Sequence, residues 1–84
     1  MRAKHERTLN AIFAQPVAGG LRWADVEALL DSLGAQIEER AGSRVAVELN
    51  GVAAVFHRPY PRPEMDKGAV RSMRRFLTDA GVTP

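Results

Sequence analysis

The sequence predicts an α+β fold in which helices cover one face of a small antiparallel sheet. Three observations predict it. Apolar residues recur at helical spacing before residue 34 and after residue 66, which indicates amphipathic helices. Apolar and polar residues alternate over 44–57, as they do in strands with one buried face. Within that stretch, Asn50 and Gly51 form the two-residue turn that most strongly signals a hairpin. Two layers result, with one face of the sheet left open.

The first two predicted elements are helices, and a short strand follows them. The apolar side of the first helix, over 3–14, is formed by Leu9, Ile12 and Phe13. The second helix, over 22–33, carries the core-facing stripe of Trp23, Val26, Leu29, Leu30 and Leu33. Gly34 suits the left-handed position just past that helix. An edge strand is predicted over 35–40, where charged side chains would guard the edge against pairing with other chains.

The register of the hairpin can be counted outward from its turn. If Leu49 faces Val52 across the turn, Arg44 lies directly opposite His57. Because side chains alternate along a strand, one face of the hairpin is apolar and carries Val45, Val47, Leu49, Val52, Ala54 and Phe56. The other face carries Arg44, Glu48 and His57. Any chemistry on the sheet belongs to this second face.

A proline-rich segment separates the hairpin from the last helix. Three prolines between 59 and 63 predict an extended connection, because proline disfavours helix in the residue before it. Asp66 is the predicted N-cap and Gly81 the predicted end, with Val82 packing back as in a Schellman motif. One side of this helix carries Val70, Met73, Phe76, Leu77 and Ala80. Another side brings together the basic residues Lys67, Arg71, Arg74 and Arg75.

The predicted core collects the apolar sides of these elements. Trp23 belongs to it by its place on the helix stripe, and stacking on a nucleic-acid base is the alternative. The core members are Leu9, Ile12, Phe13, Trp23, Val26, Leu29, Leu30, Leu33, Ile37, Val45, Val47, Leu49, Val52, Ala54, Phe56, Val70, Met73, Phe76 and Leu77.

Length and composition bound the function. The 84 residues form one predicted domain, 1–84, too small for a deep, enclosed pocket. There is no cysteine and there are two isolated histidines, so no disulfide, thiolate metal site or structural zinc is expected and no cofactor is predicted. No apolar run approaches the roughly 18 residues of a membrane span, and the N-terminus does not resemble a signal peptide. We therefore expect a cytoplasmic protein without membrane contact.

Charge is distributed unevenly along the chain. Residues 22–48 contain three basic and six acidic side chains, a net charge of −3. Residues 58–75 contain six basic and two acidic side chains, a net charge of +4, and five of the six cations are arginine. The planar guanidinium group suits phosphate bidentately, so this stretch predicts a nucleic-acid surface. A solvated helix face is the alternative.

Residues 22–82 resemble the HicA family of toxins from bacterial toxin–antitoxin pairs. The stretch SLGAQIEERAGSRV looks like the family's helix end, first strand and the Gly-Ser that opens its second strand, and RSMRRFLTDAGV looks like its closing helix. The resemblance implies a double-stranded-RNA-binding-like α-β-β-β-α fold, here with residues 1–18 as an additional helical extension. It also implies a ribonuclease that cleaves messenger RNA without a metal and is neutralised by a HicB-type antitoxin.

One departure from the family pattern concerns the catalytic position. The family's catalytic histidine follows the Gly-Ser pair, but here Gly42 and Ser43 are followed by Arg44. His57 lies across the hairpin from Arg44, where opposed Cβ atoms are about 4.5–5.5 Å apart. We therefore hypothesise that histidine and arginine are exchanged across the hairpin. An imidazole can take the proton of a 2′-hydroxyl near neutral pH, while Arg44 and Arg58 could stabilise the charged phosphorane.

The other candidate site residues would contact RNA. They are Ser43, Arg58, Tyr60, Arg62, Lys67, Arg71, Arg74 and Arg75. Structural roles are the alternatives for two of the candidates. Tyr60 could cover the end of the sheet instead of stacking on a base, and His57 could be an ordinary exposed strand residue. Glu48 could orient His57 but is better explained as a surface charge. The alternatives to a ribonuclease toxin are a noncatalytic RNA-binding module and a protein-interaction domain of the same fold.

Overall fold

Three helices and five strands follow one another along the chain, which the computed structural model describes over residues 1–84. The three longer strands lie together between α2 and α3, as the sequence predicts for an α+β fold. The elements are α1 (Ala3–Ile12), β1 (Leu21–Arg22), α2 (Trp23–Ser32), β2 (Gln36–Glu39), β3 (Arg44–Leu49), β4 (Val52–His57), β5 (Glu64–Met65) and α3 (Lys67–Asp79).

The main sheet is antiparallel and has the strand order β2-β3-β4. Its hairpin register agrees with the prediction at every position, from Leu49 opposite Val52 to Arg44 opposite His57. The turn explains this agreement, because Asn50 (φ 52°) and Gly51 (φ 81°) both adopt the left-handed conformation that joins two strands directly. One face of the hairpin is therefore packed on the helices and the other is open, as predicted.

The ends of α3 are also as predicted. The Asp66 side chain accepts a hydrogen bond of 2.7 Å from the backbone N–H of Ala69, which satisfies a donor in the first turn. At the other end, the Val82 N–H donates to the Leu77 carbonyl at 2.8 Å, and Gly81 has a φ of 81°. Both ends of this helix are thus fixed by local sequence.

A second, two-stranded sheet is not anticipated by the sequence. Leu21 of β1 pairs with Met65 of β5 and Arg22 pairs with Glu64, and the Trp23 N–H donates to the Pro63 carbonyl at 3.0 Å. Strands of two residues are too short to show alternation, and their partners are far apart in sequence. This two-stranded ribbon of β1 and β5 holds the end of the proline segment against the start of α2.

The core is one continuous cluster of 16 buried apolar residues drawn from all three helices and the sheet. Most predicted core residues are in it, including Leu9 and Ile12 of α1. Five predicted members are only partly buried because they lie at the ends and edges of the layers: Phe13, Leu33, Ile37, Val52 and Ala54. Two members were absent from the predicted core: Met65, which lies in the ribbon, and Ala80, the C-cap residue of α3. None of the three helices has the length and apolar character needed to cross a membrane.

Candidate functional site

An open cleft lies where β4 ends, between the proline segment and the first turns of α3. Its volume is about 690 Å³. Five of the predicted site residues line it together: Ser43, His57, Arg58, Tyr60 and Arg62. Trp23 forms part of its inner wall, where the indole is buried and its Nε1 donates to Glu27 Oε1 at 2.9 Å. Trp23 is therefore a core residue, as its place on the helix stripe predicts.

The Arg44–His57 pair stands at the edge of this cleft, on the open face of the sheet. The backbone N–H of Arg58 donates to the Ser43 carbonyl at 2.7 Å, so Ser43 and Arg58 face each other as a hydrogen-bonded pair. The next pair, Arg44 and His57, is consequently of the non-hydrogen-bonded type, in which side chains are closest. Both side chains are exposed. The Arg44 Nε donates to the Ala41 carbonyl at 3.1 Å, which orients the guanidinium and leaves its other N–H groups unengaged.

A row of basic residues crosses this end of the sheet. The Arg40 N–H donates to the Arg44 carbonyl at 2.9 Å, so Arg40, Arg44 and His57 stand side by side on three neighbouring chain segments. Arg40 is paired with Glu38 at 3.1 Å, whereas Arg44 has no acidic partner. Glu48 lies four positions further along β3, opposite Ala53, and does not contact His57. The open face therefore presents positive charge beside His57.

Tyr60 and Arg62 project from the proline segment. The Tyr60 ring is 90% exposed, an unusually large value for an aromatic side chain, and the Tyr60–Pro61 peptide is cis. Arg62 is exposed and makes no hydrogen bond or ion pair within the chain. These two side chains offer a stacking surface and a free cation at the cleft.

Arg58 points away from the open face and is bound by two carboxylates. Its Nη1 is hydrogen-bonded to Glu39 Oε1, and its Nη2 lies 3.6 Å from Glu27 Oε1. The hydrogen bond to Glu39 raises the pKa of the Arg58 guanidinium above its ordinary value; burial opposes this, and the charges of Glu27 and Glu39 add to it. Arg58 thus joins the end of β4 to α2 and β2, and its charge is already compensated.

Arg74 is likewise engaged within the chain. Its Nε donates to the Ile12 carbonyl at 2.9 Å and its Nη2 to the Ala14 carbonyl at 2.8 Å. Its guanidinium carbon also lies 5.9 Å from the centre of the Phe13 ring. The remaining basic residues of α3 are exposed and take part in no ion pair: Lys67, Arg71 and Arg75. The structure therefore divides the predicted basic side into one arginine that holds α1 and three cations that face solvent.

Comparison with protein families supplies the decisive observation. The model of the HicA toxin of bacterial toxin–antitoxin systems matches residues 23–82, from the first residue of α2 to just past α3. The chain belongs to the HicA toxin family. Membership places it among the toxin components of toxin–antitoxin systems, which act with an antitoxin partner. Comparison with curated proteins and with solved structures gave no match.

Within this HicA-family domain, Arg44 occupies the position after Gly42 and Ser43, and His57 stands across from it. No group of three or more His, Cys, Asp or Glu side chains is gathered anywhere in the chain. The orientation of Arg58 could have been found from sequence, because successive strand residues face opposite ways and His57 was already assigned to the open face. The role of Arg74 could not, since its partners are 60 and 62 residues away in sequence.

Proposed function

We propose that this HicA-family toxin is an endoribonuclease that cleaves RNA without a metal, and that a HicB-type antitoxin neutralises it. The observation that carries the proposal is the Arg44–His57 pair. Arg44 follows Gly42 and Ser43, where the resemblance implies a catalytic histidine, and His57 lies directly opposite it on β4. The pair lies beside an open cleft where an exposed tyrosine and a free arginine can hold RNA.

His57 acts as the general base in this mechanism. It takes the proton of a ribose 2′-hydroxyl, and the 2′-oxygen attacks the adjacent phosphorus. The bond from phosphorus to the 5′-oxygen breaks, water protonates that oxygen, and a 2′,3′-cyclic phosphate remains. Arg44, on the neighbouring strand, stabilises the negative charge that develops on the phosphorane. Neither Arg44 nor His57 forms an ion pair within the chain, so no carboxylate neutralises the positive charge of Arg44.

RNA is held by the groups around the pair. The Tyr60 ring stacks on an unpaired base, the Ser43 hydroxyl contacts a phosphate beside the pair, and the free cations Arg62, Lys67, Arg71 and Arg75 follow the phosphate backbone. Arg58 and Arg74 stabilise the fold, because their donors are occupied within the chain.

The direct test is cleavage of a labelled, mostly single-stranded RNA in excess chelator. His57→Ala should lower the rate by about 10²–10⁴-fold and Arg44→Ala by about 10²–10³-fold. The matched control is His5→Ala, which removes the other histidine, on α1, where its Nδ1 has no hydrogen-bond partner to lose. The control should cleave like the wild type. Circular dichroism checks that each variant is folded.

A double variant tests the exchange itself. Arg44→His combined with His57→Arg restores the family's order of residues on the same two strands. It should cleave RNA at a rate near that of the wild type, although each single substitution is defective. Undiminished cleavage by His57→Ala would contradict the proposal.

The second candidate function is a noncatalytic RNA-binding module. The observation that favours it is Arg44, which follows Gly42 and Ser43 where the resemblance implies a histidine. It predicts that the wild type binds RNA with an affinity that falls as salt rises, but leaves the RNA intact. A protein-interaction domain predicts no salt-dependent RNA affinity at all.

A further inference from the structure

The two edges of the main sheet are protected differently. At one edge, β2 is four residues long and carries Glu38 and Glu39, charges that discourage pairing with another chain. At the other edge, β4 is six residues long and has no charged residue before His57. Its register against β3 is unbroken, so no bulge bends it away, and it contains no proline. The β4 edge therefore lacks the usual protection.

The backbone of β4 offers a complete set of outward hydrogen-bonding groups. Leu49 and Val52 flank a two-residue turn and form a hydrogen-bonded pair, so every second residue from Ala53 onward points its N–H and C=O away from β3. These residues are Ala53, Val55 and His57. Their backbone groups take part in no side-chain hydrogen bond and in no backbone bond outside the strand ladder. An extended polypeptide can pair with them, and RNA has no matching pattern of donors and acceptors.

Exposed apolar side chains lie along the same edge. Large hydrophobic residues are exposed at three places in the chain: Met1, Val55 (58%) and Tyr60 (90%). Val55 and Tyr60 both line the cleft described above, at the middle and just past the end of β4. Exposed apolar groups beside unpaired backbone are typical of a strand-addition interface.

Charge identifies the kind of strand that fits. A strand added to β4 continues the row of basic residues Arg40, Arg44 and His57 by one position. An acidic side chain at that position would lie beside His57 and near the unpaired guanidinium of Arg44, in the place where the proposed mechanism puts the scissile phosphate. A second copy of this chain, paired about Val55, would instead place its own Ala53 beside His57 and supply no carboxylate.

We propose that the β4 edge binds an extended segment of the antitoxin, with an apolar residue beside Val55 and, two residues away, an acidic residue beside His57. The proposal rests on the toxin–antitoxin function argued above. The added strand covers His57 and the entrance to the Tyr60 cleft, and its carboxylate takes the place of the RNA phosphate. Neutralisation is thereby explained as direct occlusion of the site.

Amide hydrogen exchange tests the backbone pairing in the complex. The probe is the cognate HicB-type antitoxin, co-expressed with this chain and purified as the complex. The outward amides of Ala53, Val55 and His57 should exchange at least about tenfold more slowly in the complex than in the free toxin. The amides of Ala54 and Phe56, already bonded to β3, should change little. Alternation of this kind is specific to strand addition.

A substitution at the centre of the edge tests the same point by affinity. Val55→Pro removes an outward N–H without breaking a bond to β3, and should weaken antitoxin binding by at least about tenfold. Val55→Thr, which keeps the backbone donor and the branched shape and loses only an apolar contact, is the matched control and should bind markedly more tightly than Val55→Pro. If Val55→Pro does not fold, the exchange pattern of the wild-type complex decides.

The outcomes separate this inference from the proposed function. If the antitoxin slows exchange at amides outside β4, and Val55→Pro binds it as tightly as Val55→Thr does, the β4 edge is not the binding site. The antitoxin partnership would still stand. Absence of any complex overturns both. Protection of the three outward amides in the free toxin that grows with its concentration would show that a second copy occupies the edge, which overturns the choice of partner.

Discussion

Neighbouring arginines on α3 have different functions. Arg74 donates to the carbonyls of Ile12, the last residue of α1, and of Ala14 just beyond it, and its guanidinium lies over the Phe13 ring. Arg75, the next residue, is exposed and has no intramolecular partner. The carbonyls at the end of a helix lack partners within it, and a cation is favoured there. Arg74 thus connects α1 to the family domain, while Arg75 is free to bind a ligand.

This difference predicts unequal effects on stability. Arg74→Ala should lower the free energy of unfolding by about 2–3 kcal/mol, because two part-buried hydrogen bonds from a charged group are lost. Arg75→Ala should change it by no more than about 0.5 kcal/mol. Urea denaturation followed by circular dichroism measures both. Equal midpoints for the two variants would show that the contacts of Arg74 carry no net stability.

At the scale of elements, predictability depends on whether the determining signal is local. The hairpin register follows from Asn50 and Gly51, and with it the Arg44–His57 pair, because a two-residue turn fixes which residues face each other. The β1–β5 ribbon has no such signal: Leu21 and Met65 each belong to a two-residue strand with a distant partner. The carboxylate partners of Arg58 could not be predicted for the same reason, because they depend on how α2 and β2 are placed around β4.

The ribbon predicts that Met65 stabilises the cleft from beneath. Its side chain is buried, and the residue pairs with Leu21 just after the segment that carries Tyr60. Met65→Ala should lower the free energy of unfolding by about 2–3 kcal/mol through the lost burial and the cavity. Glu64→Ala, in the same strand but exposed, is the control and should stay within about 0.5 kcal/mol of the wild type. A small effect of Met65→Ala would mean that the ribbon contributes little to the fold.

At the scale of the whole molecule, fewer basic side chains are available to a ligand than the sequence contains. The segment 58–75 has six cations, but Arg58 is neutralised by two carboxylates and Arg74 is bound to α1. Four cations there stay free of intramolecular partners: Arg62, Lys67, Arg71 and Arg75. Arg44, which has no carboxylate partner, adds a fifth cation beside His57. A polyanion would therefore be drawn to the cleft and the adjoining side of α3.

Salt dependence of RNA binding tests this count. Each phosphate contact on a single strand contributes about −0.7 to the slope of log affinity against log salt concentration, because a counterion is released. Arg71→Gln and Arg75→Gln should therefore each reduce the steepness of the slope by about 0.7 and weaken binding most at low salt. Arg7→Gln, which removes an exposed arginine of α1, is the matched control and should leave the slope unchanged. An equal loss of slope in Arg7→Gln would place the RNA on a broader surface that includes α1, since the slope counts the phosphates in contact wherever on the protein they lie.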